Sequence, residues 1–97
     1  MNIYKLSRPA HKPGPSWDVC RGAIVIAADE AAARLTYPVI DQGTPTRQWN
    51  GEGWGRDTSA NQDMLWDIHP DDVVVTCIGT AAPGLPPGVL LSDVHWG

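Results

Sequence analysis

The residues with the most chemical potential lie between Thr46 and Asp57, where the chain reads Thr-Arg-Gln-Trp-Asn-Gly-Glu-Gly-Trp-Gly-Arg-Asp. Trp49 and Trp54 supply flat π-faces on which a base or another ring can stack. Arg47 and Arg56 supply planar guanidinium forks that match phosphate or carboxylate oxygens in a bidentate manner. Asn50-Gly51 and the glycines that follow allow backbone N–H groups to come close to a ligand. Stacking rings, arginine forks and accessible backbone together suit a small, anionic, nucleotide-like ligand. The plainer alternative is a glycine-rich surface loop whose tryptophans close the core and whose arginines are solvated. A second group sits near the end of the chain, where strand alternation puts Asp93 and His95 on one side. They could assist a ligand or form the polar face of an edge strand, and Trp96 follows them against this chain or a neighbour.

Catalytic signatures are missing. Gly51-x-Gly53-x-Gly55 has the wrong spacing for a phosphate-cradling fingerprint and follows no predicted strand. The sequence holds no P-loop, no Gly-x-Ser-x-Gly elbow and no His-Glu-x-x-His. His11, His69 and His95 are far apart, and neither cysteine falls at zinc-ligand spacing, so no metal and no cofactor are expected. Asp71 and Asp72 read as a solvated turn, because adjacent carboxylates entering a strand point apart. Cys77 with His95 would make a nucleophile and base only if the last strands juxtaposed them. The chain is therefore expected to be a binder and not an enzyme.

Seven Lys and Arg against eleven Asp and Glu leave a formal net charge of −4. That balance argues against binding extended nucleic acid, which needs many phosphate contacts, but leaves room for a local arginine pocket. No apolar run approaches the roughly 20 residues of a membrane span, and the N-terminus does not read as a signal peptide. Cys20 and Cys77 both lie in apolar stretches and read as two buried thiols in a reducing, cytoplasmic compartment. There are five tryptophans and no phenylalanine. So many large amphipathic rings in a small core suggest that some line a pocket or a subunit contact.

The elements that must position these groups form one domain over 1–97. Asn2 to Ser7 alternates and reads as a short, peripheral strand. Pro13, Gly14 and Pro15 interrupt regular structure. Ala23-Ile24-Val25-Ile26-Ala27-Ala28 is continuous and β-branched, which predicts a central strand covered on both faces. Asp29 supplies a helix N-cap, and Ala31 to Leu35 are good helix formers up to about Tyr37, before Pro38. Ala28, Ala32 and Leu35 are its expected inward residues. The connection from Val39 to Asp72 is long, and Met64-Leu65-Trp66 is expected to tack it to the core. Val73 to Thr80 and Val89 to Val94 are strands, expected to pair as an antiparallel hairpin across a short proline-rich turn. The order β-β-α-loop-β-β predicts an α+β fold: a small mixed or antiparallel sheet with one short helix on a face. The uncovered remainder invites a second copy, most simply a two-fold homo-oligomer.

These residues also carry a resemblance. Ala23-Ile24-Val25-Ile26-Ala27, Asp29-Glu30-Ala31-Ala32-Ala33-Arg34, Val73 through Ala81 with its Ile78-Gly79-Thr80-Ala81 end, and Pro87-Gly88-Val89-Leu90-Leu91-Ser92 together resemble a family of small phage and prophage proteins. The likeness covers roughly half the chain and rests on scaffold positions. In that family the chain more often ends Ser-Phe-Asn-Ala-Gly, whereas here it ends Ser92-Asp93-Val94-His95-Trp96-Gly97. The resemblance implies an anti-defence role in the cytoplasm of an infected host. The chain would sequester a cyclic nucleotide or cyclic ADP-ribose signal, with Arg47, Trp49, Trp54, Arg56, Asp93, His95 and Trp96 at the ligand. The alternative is a protein-interaction module that blocks a host protein through its Trp-rich loop.

Overall fold

The computed structural model describes residues 1–11, 19–39, 48–54, 66 and 68–95, with residues 19, 94 and 95 described by their backbone. Its frame is a four-stranded antiparallel sheet with one short helix. The strands are β1 (Asn2–Ser7), β2 (Val19–Ala27), β3 (Val74–Thr80) and β4 (Gly88–His95), in the spatial order β3-β1-β2-β4. β1 is thus a central strand, not the peripheral one its length and Lys5 suggest. It pairs with β2 on one side and β3 on the other, and Lys5 is accommodated because it lies exposed on the face away from the main core. β2 is central as expected, with Val25 and Ile26 buried but Ile24 only half-buried.

The last two strands do not form a hairpin: they occupy opposite edges of the sheet. Residues 81–87 must cross the ends of β1 and β2, a distance of three strand spacings or roughly 14 Å. Pro83, Pro86 and Pro87 suit an extended crossing and not a tight two-residue turn. Ala81 N–H donates to the Met1 carbonyl at 2.9 Å and anchors the start of the crossing to the start of the chain.

The helix α1 (Glu30–Arg34) is shorter than its composition predicts. Asp29 caps it, accepting from the Ala32 N–H at 2.8 Å. Ala28, Ala32 and Leu35, expected to face inward, are all exposed, and Ala33 is the buried residue instead. A helix of this length has only one inward position; four residues on, after the helix ends, Tyr37 continues the same side into the core. Arg34 fastens the helix to the far end of the long connection. Its guanidinium donates to the carbonyls of Pro70 at 3.0 Å and Val73 at 2.7 Å, and pairs with Glu30 at 3.5 Å. Pro70–Asp72 form one turn of 3-10 helix capped by His69, whose Nδ1 accepts from the Asp71 N–H at 3.1 Å.

The core lies on one face of the sheet. Tyr4, Leu6, Ala23 and Val25 project from the central strands towards Ala33, Tyr37, Val39, Trp54, Trp66 and Ile68. The connection therefore supplies much of the second layer, as the apolar patch around Trp66 led us to expect, although Met64 and Leu65 fall outside the described residues. Gly22 marks the closest approach between the central strands: a Cβ there would stand 2.4 Å from the Leu6 carbonyl oxygen. Of the two thiols, Cys20 is buried but Cys77 is exposed, against expectation, because it sits on the edge strand β3 where little covers it.

Candidate functional site

Two places gather functional side chains, on opposite faces of the sheet. The first is an aromatic ladder on the core side. Residues 49–54 form a small hairpin of their own, closed by an antiparallel bridge between Trp49 and Trp54. Asn50 Oδ1 accepts from the N–H groups of Glu52 at 2.8 Å and Gly53 at 2.9 Å, the side-chain turn expected of Asn. Gly51 occupies the left-handed region at φ +100°, which is why glycine follows the asparagine.

This turn sets the two indoles in different roles. Trp54 is 5 % exposed, donates from Nε1 to the Ile68 carbonyl at 2.7 Å, and packs at 5.6 Å against Tyr37. It is a core residue that backs the ladder. Trp49 is half-buried and meets Trp54 edge-on at 5.4 Å and His69 at 4.8 Å. Its indole is held between two rings while part of it remains in solvent. Tilted and edge-on contacts of this kind are favourable beyond the area they bury. Glu52 in the same turn, and His69 with Asp71 3.7 Å from its Nδ1, are exposed. Arg47 and Arg56 flank this turn in sequence but lie outside the described residues.

The second place is a depression of about 620 Å³ on the open face. Strand register builds it. Lys5 pairs with Ile24, which pairs with Leu91; Ser7 pairs with Gly22, which pairs with Asp93. Gly22 leaves a floor without a side chain, Ile24 and Leu91 give it apolar walls, and Lys5, Arg21 and Asp93 bring charge. Arg21 is the extra residue of an irregularity where β2 pairs with β4 between Cys20 and Gly22.

Asp93 is thus separated from the tryptophans. Its neighbour Ser92 donates its hydroxyl to the Pro38 carbonyl on the core side, so Asp93 turns the other way. His95 pairs through its backbone with Val19 at the end of β4, and Trp96 lies outside the described residues. Sequence reasoning missed Lys5, Arg21 and His69. Arg21 had a signal, as a cation inside a strand that is otherwise apolar, and Lys5 had a weaker one, since β1 also carries Asn2 and Ser7. His69 had none, since its place against Trp49 depends on the path of a long connection.

Burial raises the Cys20 thiol from 9.0 to about 11, with a backbone hydrogen bond at Gly22 and the charge of Arg8 opposing and nearby Asp93 acting in the same direction. Cys20 is therefore a neutral thiol at ordinary pH. Arg8 donates from Nε to the Cys20 carbonyl at 2.6 Å and lies 5.5 Å from the Trp66 ring. Among the described residues no group of three or more His, Cys, Asp and Glu side chains could hold a metal ion, and no helix is long and apolar enough to cross a membrane. Compared with protein-family models, curated proteins and solved structures, the chain matches none of them.

Proposed function

We propose that this chain is a non-enzymatic binder of a small, ring-bearing, anionic ligand of the nucleotide class, held against Trp49. The observation that carries the reading is the state of that indole. It is partly open to solvent, yet clamped by Trp54 and His69, so a ligand ring would meet a surface already held in place. Preorganisation of this kind lowers the ordering cost of binding. Arg47 and Arg56, either side of the turn in sequence, would pair with the anionic groups, while Trp54 acts from behind as support. With the resemblance to small phage proteins, the reading extends to sequestration of a cyclic nucleotide or cyclic ADP-ribose signal in the cytoplasm of an infected host.

The test is a thermal-shift panel of cyclic dinucleotides, cyclic oligonucleotides and ADP-ribose derivatives. At ligand concentrations 100-fold above the dissociation constant, binding adds about 2.7 kcal/mol of stability. Trp49→Ala should remove the shift, measured from the variant's own melting temperature, which falls with the loss of the Trp54 and His69 contacts. A panel without any shift, or a shift unchanged in Trp49→Ala, overturns the reading.

The same reading includes self-association. Among the described residues β3 and β4 pair on one side only, and Val74, Ile78 and Leu90 are exposed along them. Uncovered apolar edge strands favour strand addition by a second chain. Light scattering should give a mass of at least two chains; a monomer at micromolar concentration contradicts this part.

A further inference from the structure

His69 joins two parts of the chain: it caps the 3-10 turn Pro70–Asp72, and its ring stands against Trp49 at 4.8 Å. One of its ring nitrogens has two partners on a single residue. Nδ1 accepts from the Asp71 N–H at 3.1 Å and lies 3.7 Å from Asp71 Oδ2. These two contacts require opposite protonation states. A nitrogen that accepts from an N–H carries no proton, so capping makes neutral His69 the tautomer with its proton on Nε2. A proton added at Nδ1 turns that nitrogen into a donor. It then no longer serves the Asp71 N–H and is drawn to the Asp71 carboxylate instead. The side chain is exposed, so solvent can deliver that proton.

We infer that His69 is a proton-operated switch beside Trp49. Neutral, it holds the cap of the 3-10 turn. Charged, it gives up the Asp71 N–H, pairs with the Asp71 carboxylate, and sets an imidazolium against the Trp49 indole, a favourable cation–π neighbour. The described charged groups on the elements that meet here are Asp71 and Asp72 on its own turn, Glu52 in the turn that carries Trp49, and Arg34 with Glu30 on α1. Arg34 holds the Pro70 and Val73 carbonyls in either state, so the exchange is confined to His69, Asp71 and Trp49. Imidazole is the side chain whose charge ordinarily changes between about pH 5 and 8. Both positions belong to the unliganded chain, so the switch holds whether or not a ligand rests on Trp49. With one bound there, the proton on His69 sets the charge at the edge of its platform.

The test is a titration of the 15N-labelled full chain, without ligand, from about pH 8 to about pH 5, reading the His69 ring nitrogens, the Asp71 amide and the Trp49 indole N–H. At the alkaline end the ring nitrogens should show the proton on Nε2. On acidification the Asp71 amide should lose the downfield shift of a bonded N–H, and the Trp49 indole should move with the same midpoint as His69. The Trp54 indole, bonded to the Ile68 carbonyl in the core, should stay still. In His69→Gln, which has no ring to titrate, the Asp71 amide and the Trp49 indole should hold their positions over the same range, and the variant's own spectrum reports its fold. A neutral ring protonated on Nδ1, or a Trp49 indole that does not follow His69, overturns the switch, and both are read on the unaltered chain. The same acid-side movement in a folded His69→Gln overturns it as well.

Discussion

Cys20 and Cys77 are chemically identical in the sequence and opposite in the fold. Cys20 is sealed in the core with its thiol pushed up to about 11, whereas Cys77 lies exposed on an edge strand. A thiol reagent applied to the native protein near neutral pH should therefore modify one cysteine quickly, lost in Cys77→Ser, and reach the second only on unfolding. Two equally fast thiols would contradict the burial of Cys20. The same raised pKa sets a pH dependence. Between 9.0 and about 11 the folded state keeps the Cys20 proton that the unfolded chain has lost. Stability from this group is complete below about pH 9 and falls as pH rises, on the order of 3 kcal/mol in all. Urea midpoints should drop across that window and drop less in Cys20→Ala. Residue identity was legible here and environment was not. Nor could the sequence separate Trp49 from Trp54, because a turn of four residues between them decides which indole goes to the core.

At the scale of elements, local chemistry was readable and pairing was not. Asp29 caps α1 as an N-terminal Asp should, and β1, β3 and β4 start and stop within a residue of their apolar runs, while β2 begins at Val19, four residues before its own. The partners of each strand depend on how a connection travels, and an extended, proline-rich crossing between β3 and β4 reads in sequence like a turn. The helix shows a related limit: its inward stripe shrinks to Ala33 because only five residues are helical. Such a helix is marginal alone and relies on tertiary contacts. Arg34 provides the best-defined one, so Arg34→Ala should destabilise the protein by about 1.5–3 kcal/mol, the range for hydrogen bonds to a charged donor. Arg34→Lys should recover only part of this, because an ammonium lacks the fork that sets Nη1 on the Pro70 and Val73 carbonyls and Nη2 on Glu30 at once. Urea denaturation of the two variants checks both statements; full rescue by lysine would show that charge alone matters.

At the scale of the whole molecule, the sheet separates two kinds of surface. One face is closed by α1 and the Trp-bearing connection, and the aromatic ladder grows from that closure. The other holds an open, charged depression between strands. The stretch from Thr46 to Asp57 reads in sequence either as a ligand wall or as a surface loop whose tryptophans close the core, a lid on the sheet. Within its described part Trp54 is lid, while Trp49 keeps the surface that a ligand wall requires. The grouping of Asp93 with the tryptophans could not be judged from sequence, since it depends on which face of the sheet the connection crosses. Binding without chemistry is the central claim, and it is tested most directly by recovery of the ligand. The protein is saturated with the strongest ligand of the thermal-shift panel, freed of excess, heat-denatured, and the released molecule is weighed by mass spectrometry. Return of the unaltered ligand in stoichiometric amount, and none from Trp49→Ala, is the expected result; a hydrolysed or rearranged product would contradict the account and make the protein an enzyme.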